Sequence, residues 1–587
     1  MKKINSVRLA IILGILFIGG ISAGFLSLQE SRDFRIAKNL DIFLTLFREL
    51  NTFYVDEINP DRVIKSGIDN MLKTLDPYTV YYPESDADDF TFMTTGKYGG
   101  IGSLVRGGGD YVVISEVYKG FPADRAGIKI GDIIKKVDGI SLKGMPTDKV
   151  SDRLKGNPGS DIIVTIERNG KESDYSMKRE RIIIPPVPYY GMIDKKTGYI
   201  RFTNFTQNCI TDVRNALTEL KNNNPGHIIL DLRGNPGGLL SEAVEIVNLF
   251  VGPGNNVVST KGKIKKFDED FRTTKAPVDE VIPLAVLISR SSASAAEIVA
   301  GAIQDLDRGI VVGQRSYGKG LVQVTRPLSY NTQLKVTTAK YYIPSGRCIQ
   351  TIDFSHPNED GSVGIIPDSL ISEFRTRNGR IVKDGGGITP DVVVNPETLS
   401  QISTELYLRN LIFDYATRYY WSHPEIKSPE QFSITDEDYA DFSNFLKERK
   451  FDYRTFTETS LNELIVNAKK EKYYELYKDL FTELQKDIAH NLDQDLTIFR
   501  DEITRLLEEE IIGRYFYEGG AIAWSIKKDE QIIKALEILN DKGKYGSILT
   551  GKSAPVLRAN VPRASSCRYP SQPLTVLPAL QKRTFHI

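Results

Sequence analysis

The sequence predicts a multidomain α+β protein with a helical N-terminal region, a compact β-rich unit, an α/β core and a helical C-terminal region. Periodicity carries the helical ends: Leu40, Ile42, Phe43, Leu46, Phe47, Leu50 and Phe53 recur at the spacing of an amphipathic helix. A charged, aromatic stretch from about 400 to 545 reads the same way. Short β-like runs separated by glycine turns carry the β unit, among them Tyr111-Val112-Val113-Ile114 and Ile162-Ile163-Val164-Thr165-Ile166. Alternation carries the core: Gly198-Tyr199-Ile200-Arg201-Phe202, a helix around 211–222, then His227-Ile228-Ile229-Leu230-Asp231.

The expected segments follow in order. Residues 1–30 form an export segment and residues 31–95 the helical N-terminal region. Asp76-Pro77-Tyr78 breaks that helical pattern, and a loop is expected after it. The β-rich domain occupies 96–180, the α/β core 181–395 and the helical domain 396–550. From 551 to 587 the chain carries Pro, Ser and Arg558, Arg563, Arg568, Lys582 and Arg583, no acid and little periodicity, so a disordered tail is expected.

At 587 residues the chain is long enough for several cores, and its 41% hydrophobic and 26% charged content is that of a globular protein. Its 76 basic and 76 acidic side chains cancel, which argues against a nucleic-acid partner or a polybasic membrane-surface protein. Cys209, Cys348 and Cys567 are odd in number and lack metal-ligand spacing, and the histidines (His227, His356, His423, His490, His586) are dispersed; no metal and no cofactor is expected. At the N-terminus Lys2, Lys3 and Arg8 precede an apolar run from Leu9 to Leu28. About 20 apolar residues span a bilayer, and the basic flank keeps the N-terminus inside. Ile21-Ser22-Ala23 is a poor cleavage site, so an uncleaved anchor is favoured over a signal peptide.

In the β-rich segment Tyr98-Gly99-Gly100-Ile101-Gly102 precedes a strand, followed by Pro122-Ala123-Asp124-Arg125-Ala126-Gly127-Ile128 and Gly131-Asp132-Ile133-Ile134, with a tight turn at Val137-Asp138-Gly139-Ile140. This series resembles a PDZ domain. The resemblance implies that a peptide adds as a strand to a sheet edge, and that backbone amides of Gly100, Ile101 and Gly102 capture its terminal carboxylate.

The chemistry lies further on. In Val286-Leu287-Ile288-Ser289-Arg290-Ser291-Ser292-Ala293-Ser294-Ala295-Ala296-Glu297 an apolar strand runs through small residues into a helix. A serine at such a junction meets free helix N–H groups and the positive end of the dipole, both of which favour an oxyanion. Ser294-x-x-Glu297 is equally the pattern of a capping box, and Ser291 and Ser292 compete for a nucleophilic role. Downstream, Lys319 sits between Gly318 and Gly320. A solvated lysine is a poor base near neutral pH, but a buried one can take a serine's proton.

These motifs resemble the C-terminal processing (tail-specific) peptidases over roughly residues 35–395. In that family the Ser-Ala-Ser-Ala-x-Glu run carries the nucleophile, a Gly-Lys-Gly lysine the base, and a glutamine shortly after the lysine supports it. The resemblance implies Ser294, Lys319 and Gln323 for these roles and selects Ser294 over its neighbouring serines. Ile229-Leu230-Asp231-Leu232-Arg233-Gly234-Asn235-Pro236-Gly237-Gly238 matches another family motif, so the oxyanion N–H groups are expected from Ala295 and from Gly237 or Gly238. Tyr342-Ile343-Pro344-Ser345-Gly346-Arg347 and Gly387-Ile388-Thr389-Pro390-Asp391 are similar to family segments as well. The implied fold is a PDZ β-barrel-like domain beside an α/β Ser–Lys peptidase core. The implied activity is serine endopeptidase cleavage of extracytoplasmic proteins recognised by their C-termini. The alternatives are a non-catalytic PDZ adaptor on a peptidase-like fold and a histidine-dependent hydrolase. The expected location is the cell envelope, anchored in the inner membrane with the catalytic body in the periplasm, or periplasmic after signal cleavage; the sequence is compatible with a homo-oligomer. One departure stands out: some relatives carry an arginine before a glycine after the PDZ helix, and here Lys155 precedes Gly156. Lysine lacks the forked geometry of arginine, so PDZ-gated activation does not carry over directly.

Overall fold

The computed structural model describes residues 32–356, 363–395 and 397–552. The expected membrane segment and all of the expected tail beyond residue 552 lie outside the described residues. Among the described residues no helix is long and apolar enough to cross a membrane. The chain divides into two units, residues 1–77 and 78–587. In the first, the helices Arg32–Phe53 and Pro60–Lys73 follow one another. Asn59 caps the second by accepting Arg62 N–H, and Pro60 occupies the first helical position, where its missing N–H costs nothing. The apolar stripe of Arg32–Phe53 exists, but no residue of that helix is buried.

The second unit begins where a loop was expected. Instead, Val80–Tyr82 forms a short strand antiparallel to Gln333–Tyr342. A β-branched and aromatic tripeptide next to an open sheet edge gains ladder hydrogen bonds there. The helix Ala87–Thr95 leads into the β-rich domain. Its sheet runs Ser103–Gly108, Tyr111–Val117, Ile133–Val137, Asp161–Arg168, Lys171–Lys178, with Ile140–Ser141 closing the expected hairpin onto Ile133–Val137. Ile114, Ile134, Val150, Val164 and Ile166 are fully buried between this sheet and the helix Thr147–Leu154. Buried Arg179 finishes that helix, donating to the carbonyls of Arg153 and Leu154.

The core is built on a six-stranded sheet in the order Tyr189–Met192, Thr197–Arg201, His227–Asp231, Leu284–Ile288, Ile310–Gly313, Val392–Val393. The first pair is antiparallel and the rest are parallel. His227–Asp231 and Leu284–Ile288 are buried along their whole length, as parallel strands covered on both faces must be. One face packs the helices Cys209–Lys221, Leu240–Asn248 and Ala295–Asp305 over Ile228, Leu230, Val286 and Ile288. The other face, with Ile229, Ala285, Leu287 and Val312, is covered by Ile532, Ala535, Ile538 and Leu539 of the helix Glu530–Leu539. The far C-terminal segment therefore completes the core. Helices between Gln401 and Ser525 form their own cluster around Phe442, Leu446, Leu507 and Ile511. They touch the β-rich domain through the Arg106 guanidinium, 3.3 Å above the Phe413 ring, and through Tyr517, whose hydroxyl donates to Asp124 at 2.9 Å.

Candidate active site

The chemistry-bearing motifs leave the C-terminal ends of adjacent parallel strands. His227–Asp231 leads into residues 232–238, Leu284–Ile288 into 289–294, and Ile310–Gly313 into 314–319. In an open α/β sheet this edge is where ligands bind. Ala293 N–H donates to Asn235 O, and Gly234 N–H to the Ser289 hydroxyl, so the first two loops are knitted together.

Ser294 sits directly before the helix Ala295–Asp305 at φ 55° and ψ −115°. A non-glycine residue there is strained by about 1–3 kcal/mol, and neighbouring contacts must hold it in place. The Glu297 carboxylate supplies them. It accepts Ser294 N–H at 2.9 Å, and from the neighbouring loop it accepts Gly318 N–H at 2.6 Å, Lys319 N–H at 3.0 Å and the Ser316 hydroxyl. Burial raises the Glu297 carboxyl above its ordinary value, and these donors pull against that rise. The sequence showed Glu297 only as a cap partner; its bond to the lysine loop requires a second strand to deliver the donors.

Ser294, Lys319 and Gln323 line one cavity of ≈ 690 Å³, together with Ala295, Gly237 and Gly238. Ser291 and Ser292 do not line it. Ser292 is buried, accepting Ser289 N–H and donating to Leu232 O, while the Ser291 hydroxyl meets that of Ser289. Among the described residues no histidine lines the cavity. The Lys319 ammonium lies 4.9 Å from the centre of the Tyr78 ring, an aromatic neighbour that sequence reasoning missed. Gly318 lets this loop fold tightly: a Cβ there would lie 1.7 Å from the Thr351 hydroxyl oxygen. Gln323 donates its amide N–H to the Thr337 hydroxyl at 3.1 Å.

At Gly237 (φ +98°) a Cβ would fall 2.7 Å from Ser294 Cβ and 2.8 Å from the Ala295 nitrogen. The glycine turn thus lies against the serine and the first helix amide. Gly237 N–H donates to the Asn235 side-chain oxygen at 2.9 Å. Beneath the turn, Asp231 is fully buried and accepts from Tyr199, Arg201 and Arg233. Burial alone would raise its carboxyl, but Arg201 and Arg233 hold it well below the usual carboxylate range. Arg233 then reaches Asp529 at 2.6 Å and Gln531 at 3.2 Å, at the start of the helix Glu530–Leu539.

In the β-rich domain Ile101 is buried and lines the same cavity, with Ser103, Leu104 and Val105 of the adjoining strand and Ser151, Leu154 and Lys155 at the helix. Gly100 and Gly102 flank Ile101 without lining the cavity; Gly102 O accepts Tyr118 N–H.

Three family descriptions match: peptidase family S41 over residues 196–370, a PDZ domain over 113–168, and the C-terminal helical domain of a probable PDZ-protease over 402–539. The carboxy-terminal-processing protease of Bartonella bacilliformis is 32% identical over 369 residues, 61% of this chain and 82% of that protein. The chain belongs to the carboxy-terminal-processing protease family. It is a serine protease with an S41 core, a PDZ domain and a C-terminal helical domain. A probable CtpA-like serine protease of Staphylococcus aureus is 34% identical over 315 residues, covering 53% of this chain and 62% of that protein. Among solved structures, the photosystem II D1 C-terminal processing protease matches with 27% identity and a TM-score of 0.35, over 61% of this chain and 88% of that one. Membership in the carboxy-terminal-processing proteases supports peptide recognition through the PDZ domain, and residues of that domain line the same cavity as Ser294.

Proposed function

We propose that this carboxy-terminal-processing protease cleaves extracytoplasmic proteins by their C-termini with a Ser294–Lys319 dyad. The observation that carries the reading is the Glu297 carboxylate, which accepts backbone N–H groups of both Ser294 and Lys319 and so fixes serine and lysine loops to each other. Neutral Lys319 takes the Ser294 proton, and Ser294 Oγ attacks the scissile carbonyl. The oxyanion is received by Ala295 N–H, at the positive end of a helix, and by an N–H of the glycine turn. Because Gly237 N–H is donated to Asn235, Gly238 is the turn's donor in this reading. Lysine returns the proton to the leaving amine, then activates the water that releases the acyl-enzyme. Gln323, held by Thr337, turns its amide oxygen to the lysine amine. The PDZ groove holds the substrate's C-terminus at the loop Gly100-Ile101-Gly102. The body works in the periplasm, tethered to the inner membrane by the segment 1–30 or released by signal cleavage.

The test is peptidase assay of Ser294→Ala and Lys319→Ala on an unfolded protein substrate. Both lose hydrolysis while keeping the wild-type circular dichroism spectrum, and the wild-type rate climbs with pH as the lysine deprotonates. Wild-type rates in both variants would sink the dyad.

A further inference from the structure

Besides Lys319 and Lys155, the cavity wall carries a further lysine that the mechanism does not use. Lys335 lies in the strand Gln333–Tyr342, paired antiparallel with Leu321–Pro327. Directly paired residues of an antiparallel ladder share a face. The pairs Gln323↔Thr337 and Thr325↔Lys335 therefore place these side chains on one surface, and Gln323, Thr325 and Lys335 all line the cavity. On the other side Lys335 pairs with Val80, and Tyr82 of that strand lines the cavity too.

Nothing among the described residues neutralises this ammonium. Burial pulls its pKa down, and no carboxylate among the described residues lies in an ion pair or hydrogen bond with it. A desolvated, unpaired ammonium is costly. Placed on the wall of a substrate cavity, it recovers that cost when a ligand brings an anion. The anion every peptide with a free terminus carries is its own carboxylate, and acidic side chains share that chemistry.

We propose that Lys335 binds a substrate carboxylate inside the catalytic cavity. The proposal rests on the Ser–Lys reading of the same site. Lys335 is one ladder step beyond the Gln323–Thr337 pair, about 7 Å along the strand. With the reach of its own side chain it meets an extended peptide about two to four residues from the scissile bond. Long tails deliver their terminus to the PDZ loop; short tails deliver it to Lys335. A lysine in this place lets the enzyme keep hold of a tail too short to reach the PDZ groove.

The experiment compares neutral peptides whose tails run from about one to six residues beyond the scissile bond, each as the free acid and as the C-terminal amide. A parallel set of long amidated peptides carries Glu or Gln at each of those positions. In the wild-type enzyme the acid-to-amide ratio of kcat/KM peaks at one tail length, at about tenfold or more, the size of a charge-assisted hydrogen bond. Lys335→Met brings that ratio to about one, and Lys335→Arg, which keeps the charge, retains the peak. A peak in the Glu/Gln set without one in the acid/amide set assigns the carboxylate to an acidic side chain and still supports the site. Flat ratios in both wild-type sets, or a peak that survives Lys335→Met, overturn it. The dyad reading fails separately: it falls if Ser294→Ala still cleaves the amidated neutral peptides.

Discussion

Gly237 shows how little room there is beside Ser294 and the first helix amide. A methyl group there would stand 2.8 Å from the Ala295 nitrogen, in the space where an oxyanion would be received. Gly237→Ala is therefore expected to cut kcat by about 10²–10³-fold, as loss of one oxyanion donor does. The thermal midpoint should fall as well, because the methyl also meets the Ala293 carbonyl oxygen at 2.7 Å, and steady-state kinetics below the melting transition isolate the effect on kcat. At this scale the sequence was informative where chemistry and spacing coincide. The small-residue run and the glycine-flanked lysine drew attention to Ser294 and Lys319, and the family resemblance then selected Ser294 among its neighbouring serines and added Gln323. The structure brings all three to one cavity. Glu297 was legible only as a helix cap. Its bonds to Gly318 and Lys319 join residues from different strands, which no local pattern encodes. Lys335 was illegible for the same reason: in a single strand, it is merely a lysine among alternating residues.

Among elements, the helix Glu530–Leu539 is tied to the glycine turn through one side chain. Asp529 caps that helix with one carboxylate oxygen, accepting Gln531 and Ile532 N–H, and holds Arg233 with the other. Asparagine is as good an N-cap as aspartate, so Asp529→Asn removes the ion pair and spares the cap. The expected result is a loss of about 1–3 kcal/mol in denaturant unfolding, with kcat reduced and KM nearly unchanged. A second element carries a pH dependence. His490 bridges Glu458, at the start of the helix Phe456–Lys470, and Asp452. Burial would raise the Glu458 carboxyl, but His490 and the backbone amides of Thr455 and His490 bring it down to about 2. Burial would lower His490, but Glu458 and then Asp452 lift it above its ordinary value. The Glu458 contribution is complete above its unfolded pKa of about 4.3 and is lost as pH falls toward the folded value. The His490 contribution is complete below about 6.5 and is lost as pH rises through its raised value. Hydrogen-exchange protection at the start of this helix should thus be greatest between about pH 4.5 and 6.5. Element type was legible for strands with strong runs and for the long helices. The strand Val80–Tyr82 was not, because its partner lies in Gln333–Tyr342, far along the chain.

For the molecule as a whole, periodicity revealed the order of helical, β-rich, α/β and helical stretches. It did not reveal that Ile532, Ala535, Ile538 and Leu539 would roof the second face of the catalytic sheet, since an apolar helix face does not name what it covers. The cavity that joins the PDZ groove to Ser294 has a further consequence. At ≈ 690 Å³, with walls from the PDZ domain and the core, its volume suits a few extended residues and is far smaller than a folded domain. A protein whose end is folded must first fray, so the rate of cutting reads the substrate's own opening equilibrium. A ligand that steadies a folded reporter near its C-terminus should slow cleavage in proportion to 1 + [L]/Kd, while an unstructured tail of the same sequence is cut at an unchanged rate. Time courses at rising ligand concentration would measure that proportionality. The enzyme would then work as a thermodynamic gauge, destroying proteins in inverse order of how firmly their ends are folded.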